Sequence, residues 1–143
     1  MITQPRYFRG YFIRQTLNDV RGSLWRDFKD RVEEHGYPYE RFSFNENEMT
    51  VLDKVTGNTI TSKGVVKSGS RTGKMKSLAG ATHILIEEAD EINEEDFDQM
   101  DLSLRTVKAE KIQVIRIFNP PPKSHWIWRD YTLVDSNEEG YLS

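Results

Sequence analysis

The sequence predicts an α/β fold, a mostly parallel sheet flanked by helices and carrying an inserted β-hairpin. Three observations predict it. Short apolar runs at 11–13, 84–86 and 112–118 have the length of buried strands. Apolar stripes at helical spacing follow the first two runs, so strand and helix alternate. Between those stripes, residues 41–66 switch to strand-like spacing around a turn.

Tyr11-Phe12-Ile13 reads as a buried strand that ends at Arg14. Asn18 or Asp19 is then placed to cap a helix in which Val20, Leu24, Phe28 and Val32 recur every four residues. Leu17 and Trp25 widen that stripe, and Gly36 stops it. Phe42, Phe44, Met49, Val51 and Val55, then Ile60, Val65 and Val66, surround the turn-forming Thr56-Gly57-Asn58, the pattern of a hairpin or small meander. Residues 67–77 lack apolar periodicity and read as a basic, glycine-containing loop. Ile84-Leu85-Ile86 makes a second strand that runs into Glu87-Glu88. Asn93, with Asp96 three residues on, caps a second helix whose buried stripe is Phe97, Met100, Leu104 and Val107. The last strand, over 112–118, ends at Asn119 and is stopped by Pro120-Pro121-Pro122. Trp126, Trp128 and Tyr131 fall in a short helix followed by an extended tail.

The 143 residues fit one domain, and no repeat, low-complexity segment or linker divides them. The absence of cysteine excludes disulfides, thiolate metal sites and cysteine nucleophiles. No stretch approaches the ~20 apolar residues that span a bilayer, and the first residues lack the apolar core of a signal peptide. A soluble intracellular protein is the expectation.

The net charge of −3 conceals an asymmetry. Residues 1–81 carry 14 Lys and Arg against 9 Asp and Glu, whereas residues 82–143 carry 6 against 14. Six bases and no acid lie in residues 54–86, and nine acids and no base in residues 87–101. Such blocks are either two solvated faces or a polyanion site beside a divalent-metal site.

The sharpest chemical signal is the run from His83 through Ile84-Leu85-Ile86 to Glu87, Glu88, Ala89, Asp90 and Glu91. A strand inside a parallel sheet delivers its last residues to the carboxyl edge, where open α/β sheets bind ligands. Two carboxylates there can divide the work of nucleotide hydrolysis, one holding Mg²⁺ and the other positioning an attacking water. The alternative is an acidic strand end leading into a helix start. Asn119, at the tip of the next strand, can face a terminal phosphate, or it can simply begin an Asn-Pro turn. Ser68-Gly69-Ser70-Arg71-Thr72-Gly73-Lys74-Met75 imitates a Walker A loop but has Ser68 in place of the first glycine and Met75 in place of the metal-binding hydroxyl. We do not read it as one, although Arg71, Lys74 and Lys76 remain able to touch phosphate. His35, His83 and His125 show no metal-ligand spacing, and no Ser-His-Asp arrangement is readable.

In order, the chain carries Ile13-Arg14-Gln15-Thr16, Arg21-Gly22-Ser23, a basic loop ending Lys76-Ser77, then Gly80-Ala81-Thr82-His83-Ile84-Leu85-Ile86-Glu87-Glu88-Ala89. Leu104-Arg105, Phe118-Asn119-Pro120 and His125-Trp126 complete the series. Nearly the whole chain thereby resembles the large subunit of phage terminases, in the subgroup whose Walker B strand ends Glu-Glu. The resemblance implies a piece of a P-loop NTPase domain of the ASCE type. Its parts would be a strand–helix at 10–36, a hairpin and basic loop at 41–77, a Walker B strand, helix and coupling strand at 83–119, and a tail at 120–143. It implies Glu87 as the Mg²⁺-holding carboxylate, Glu88 as the catalytic carboxylate, Asn119 in the coupling motif and Arg71 as an arginine finger.

By the same resemblance the cofactors are ATP and Mg²⁺. The partners are double-stranded DNA, the terminase small subunit, the portal protein and other copies of the chain, in the cytoplasm of a bacterial host. The family's Walker A loop precedes the Arg14 strand, where only about ten residues stand here, and its nuclease domain has no counterpart. The expectation is therefore a motor fragment that does not turn over ATP alone. The rival from another class is a non-enzymatic prophage remnant that binds DNA or other phage proteins.

Overall fold

The computed structural model describes residues 1–65, 78, 80–104 and 112–132, with the side chains of 102, 103 and 130–132 left aside. The strands are β1 (Arg9–Arg14), β2 (Phe42–Asn45), β3 (Thr50–Asp53), β4 (Thr59–Gly64), β5 (His83–Glu87) and β6 (Gln113–Ile117). The helices are α1 (Leu17–Val20), α2 (Arg26–Glu34), α3 (Glu94–Ser103) and α4 (Ile127–Thr132). A π-helical turn over Arg21–Trp25 joins α1 to α2. All six strands form one sheet in the order β2-β3-β4-β1-β5-β6. β4, β1, β5 and β6 run parallel, while β2 and β3 are antiparallel additions.

Of the expected hairpin or small meander, the structure has the meander, three-stranded, and its last strand is not an insertion. β4 pairs with β1 over its whole length, from Arg9↔Thr59 to Arg14↔Gly64. Local spacing could not reveal this, because pairing with a strand fifty residues away leaves no periodicity of its own. Gly64 is demanded by the packing there, since a Cβ on it would lie 2.5 Å from the Leu17 backbone nitrogen. The second turn of the meander is built from Thr56-Gly57-Asn58 as expected, with Gly57 at φ +74° and its N–H donating to Asp53 O.

Side chains alternate across the pleat, so the sheet has two apolar faces. On one, Tyr11, Ile13, Ile84 and Ile86 pack with Met100, Leu104 and Ile127 from α3 and α4. On the other, Phe8, Val51 and Ile60 pack with Val20, Trp25 and Val32 of the first helical segment, and Phe12 and Phe28 close around them. The helix cap differs from the expected Asn18 or Asp19. Thr16 is the cap: its hydroxyl accepts from the Asp19 N–H, and the Asp19 carboxylate accepts from the Thr16 N–H. The helix accordingly begins at Leu17, which is 38% exposed and takes no part in the stripe.

A spacing of four overshoots the 3.6-residue turn at every step, and the wider π-turn over Arg21–Trp25 takes back part of that drift. Val20, Trp25 and Val32 all reach the core as a result. Gly36 ends α2 at φ +67°, donating its N–H to Glu33 O. α3 is capped as the sequence predicts, by Asn93 Oδ1 accepting from the Asp96 N–H at 2.8 Å. Met100 and Leu104 of its stripe are buried and Phe97 partly so; Val107 lies outside the described residues, as do the basic loop at 67–77 and the tail beyond Thr132.

Candidate functional site

β5 lies between β1 and β6, and its carboxyl end delivers Glu87 to the edge of the sheet. Register sets what stands beside it. Ile13 pairs with Ile86 and Glu87 with Ile117, so Arg14 at the end of β1 and Asn119, two residues past Ile117, lie along that same edge. Asn119 is exposed.

Arg14 and Glu87 both emerge on the sheet face opposite Ile84 and Ile86. Their contact is close but open. Arg14 Nε lies 3.7 Å from Glu87 Oε2, and Arg14 Nη2 lies 3.6 Å from Glu91 Oε2, both beyond an ordinary hydrogen bond. Arg14 Nε, Glu87 Oε2 and Asp90 Oδ1 are buried and find no hydrogen-bond partner among the described residues. Buried polar atoms are paired in the great majority of cases, so three orphans within a few residues mark this edge as unusual.

Glu88 is separated from Glu87 by backbone geometry rather than by strand alternation. β5 ends at Glu87, and Glu88 adopts φ 51°, ψ 49°, the left-handed conformation. For a residue with a Cβ this costs on the order of 1 kcal/mol or more, and such strain collects at functional sites. A 3₁₀ turn over Ala89–Glu91 follows, closed by Glu91 N–H donating to Glu88 O at 3.0 Å. The chain then passes through buried Ile92 into α3.

Glu87 offers a hard carboxylate oxygen with no competing hydrogen bond, which fits a hard divalent cation. No group of three or more His, Asp and Glu side chains gathers into a metal cage among the described residues. That arrangement fits Mg²⁺, which commonly takes one or two carboxylates and completes its shell with water and phosphate oxygens. Arg71, Lys74 and Lys76 lie outside the described residues, together with the whole Ser68–Met75 segment.

The histidines fall where no metal-ligand spacing would have put them to use. His83 sits at the opposite, amino end of β5, its ring 4.9 Å from Phe8, and burial pushes its imidazole below the usual histidine range. His125 packs against the turn after Glu88, with Nε2 at 3.0 Å from Asp90 O. Trp126 and Trp128 are partly buried against the core on the α3 side and donate to Ile92 O and Pro121 O. Sequence reasoning assigned no role to Arg14. The β1–β5 register, which pairs Ile13 with Ile86, is what sets it beside Glu87.

A family model described as phage terminase large subunit matches residues 3–141. No curated protein sequence matches significantly. Among solved structures, the large terminase of a thermophilic bacteriophage superposes with a TM-score of 0.67 at 15% identity, covering 89% of this chain and 30% of that one. The same phage protein in complex with ATP-gamma-S gives 0.61 at 13% identity, covering 89% and 28%. An arginine-to-alanine mutant of the ATPase domain of the Thermus phage P74-26 large terminase gives 0.62 at 16% identity, covering 95% and 56%. At these identities the structures establish the fold, and the chain spans about 30% of the first of these proteins. No described helix is long and apolar enough to cross a membrane. With a family match over residues 3–141, this chain belongs to the phage terminase large subunit family.

Proposed function

We propose that this chain is the Walker B and coupling portion of the ATPase motor that drives phage DNA packaging. The observation that carries this is the end of β5, where Glu87 presents an orphaned buried oxygen and Glu88 is held in a left-handed turn. In this reading Glu87 would hold Mg²⁺, with Arg14 as its neighbouring counter-charge. Bound Mg²⁺-ATP supplies the phosphoryl group and its charge neutralisation. Glu88, in the left-handed turn that follows, would orient the attacking water and accept its proton. Asn119 lies along the same edge to sense the terminal phosphate, and Arg71 reaches a neighbouring subunit's nucleotide. Double-stranded DNA is the substrate moved, with the small subunit and portal as partners in the host cytoplasm.

The phosphate cradle is the part not accounted for by these residues. β6 is an edge strand among the described residues, and Ile115 and Ile117 stand 38% and 50% exposed on the face beside it. An upstream strand and helix carrying a Walker A loop fits there, because it would pair the edge and cover the apolar face. In this reading residues 1–143 are one partial ATPase domain, and turnover is expected only when a Walker A segment joins them.

The test is a thermal-shift and turnover series on the chain joined to a Walker A segment, with and without Mg²⁺ and an ATP analogue. Glu87→Ala weakens Mg²⁺-dependent nucleotide binding. Glu88→Gln preserves binding and removes turnover. Wild-type behaviour of both variants, in binding and in turnover, would leave these carboxylates as an acidic helix start and sink the reading.

A further inference from the structure

The left-handed Glu88 raises a question that its own turn does not answer. A strained residue persists only where its surroundings over-determine it. The two backbone bonds inside the turn, Glu91 N–H to Glu88 O and Ile92 N–H to Ala89 O, are 3.0 and 3.3 Å long and are shared with any ordinary 3₁₀ turn. The additional hold comes from the segment that leaves β6.

That segment runs through Asn119 and the three prolines and returns over the turn at His125 and Trp126. His125 Nε2 meets Asp90 O at 3.0 Å, and Trp126 Nε1–H donates to Ile92 O at 3.0 Å. The tautomer of His125 follows from its two contacts. Ile127 N–H donates to Nδ1, so Nδ1 accepts, and Nε2 carries the proton given to Asp90 O. The Trp126 ring is wedged between Phe97 of α3, at 4.9 Å, and His125, at 5.6 Å. Arg129 pairs with Glu94 one turn further along. Ala89, Ile92 and Ile127 are buried beneath.

From this geometry we propose that His125 and Trp126 are positioning residues for Glu88, gripping the Glu88–Ile92 turn by its Asp90 and Ile92 carbonyls and tying it to Asn119. A phosphate-dependent movement at Asn119 then reaches the Glu88 carboxylate through one short, proline-stiffened strap rather than through the sheet. The proposal rests on Glu88 being the catalytic carboxylate.

Amide hydrogen exchange and backbone carbon shifts of the full 143-residue chain test it, comparing wild type with His125→Ala, His125→Gln and Trp126→Phe. In His125→Ala, exchange at Glu91 and Ile92 accelerates roughly fivefold to tenfold, the effect of losing one hydrogen bond at a strained turn. Glu88 carbon shifts move away from the positive-φ range, while amides of β1, β3 and β4 stay within about twofold of wild type. His125→Gln keeps a side-chain N–H and restores most of the protection. Trp126→Phe keeps the ring, loses the donor and accelerates Ile92 alone.

Uniform acceleration across the chain would make His125 a general stability residue and overturn the proposal. Unchanged exchange at Glu91 and Ile92 would overturn it equally. If His125→Ala does not fold, Trp126→Phe carries the decision, and unchanged exchange at Ile92 in that variant overturns the proposal. Turnover by Glu88→Gln is read separately, on the chain joined to a Walker A segment: wild-type turnover would leave the strap with no catalytic group to position, and the proposal would fall with that assignment.

Discussion

The meander half of the molecule and the β5–β6 half satisfy their polar groups very differently. In residues 1–65, buried polar side chains are met from several sides. Asp53, fully buried, takes two hydrogen bonds from Arg41, at 2.9 and 2.7 Å, and one from the Val55 N–H. Asn58 accepts from the Phe8 N–H and directs its amide to the carbonyls of Ile2, Gln4 and Arg6, fastening the first residues to the meander. Glu46 accepts from Trp25 Nε1 and Lys29 Nζ, pinning α2 to the β2–β3 turn. The Ser62 hydroxyl is the one buried side-chain orphan described on this side apart from Arg14, which already belongs to the edge. In the other half, Glu87 and Asp90 keep orphaned oxygens at the edge where Glu88 is left-handed, whereas the left-handed residue of the meander, Met49, is sealed in the core. One half stabilises the chain; the other holds groups in states that stability alone would not select.

If that division is right, the largest losses of stability come from the meander. Asp53→Ala removes two hydrogen bonds from Arg41 and leaves the Val55 N–H without its acceptor, a loss on the order of 2 kcal/mol. Urea unfolding checks this, and a loss below about 1 kcal/mol would show the pair to be dispensable. The pH dependence has the same origin. Hydrogen bonding from Arg41 pulls the Asp53 carboxyl down from 3.8 to about 2. A depressed carboxyl contributes its stability above its unfolded value, so the contribution is intact above about pH 4 and is lost as pH falls towards 2. Asp53→Asn should flatten that part of the acid profile.

A smaller effect, of opposite kind, belongs to Glu88. At φ 51° glycine is at ease, whereas alanine keeps the penalty of a Cβ. Glu88→Gly should therefore be about 1 kcal/mol more stable than Glu88→Ala, the reverse of their order in a helix. Equal midpoints for the two would mean that the turn relaxes out of the left-handed region once the carboxylate is gone.

These differences also explain what was legible in the sequence. Strand runs, the Gly36 stop, the Asn93 cap and the Thr56–Asn58 turn are local, and each is written in a few consecutive residues. Thr16 was missed because a capping box with Asp19 moves the helix start ahead of the apolar stripe. β4 was read as part of an inserted hairpin because its union with β1 is a matter of register across the sheet. For the site, Glu87 closing β5 and Asn119 two residues beyond β6 were legible as the ends of apolar runs. Arg14 was not given a part, since only the β1–β5 register sets it 3.7 Å from Glu87. Nor was the His125 contact, which joins residues 35 apart and depends on a carbonyl rather than a side chain.

The smallest expected effect separates the two halves most directly. Ile60, on the meander side, is 5% exposed, and Ile117, on β6, is 50% exposed. Truncating a buried isoleucine to alanine costs about 2–5 kcal/mol, because transfer and cavity losses add. Ile117→Thr removes apolar surface that water already reaches and keeps a β-branched side chain suited to a strand, so its cost should stay within about 0.5 kcal/mol. Its visible consequence should be colloidal. An apolar face beside an unpaired edge strand invites other chains, and a hydroxyl on that face should lower self-association measured by sedimentation across a concentration series. A loss above about 1.5 kcal/mol would show that the β6 face is already covered within the chain. The contrast between a closed half and an open one would then fail at its most exposed point, along with the place proposed for a phosphate-binding segment.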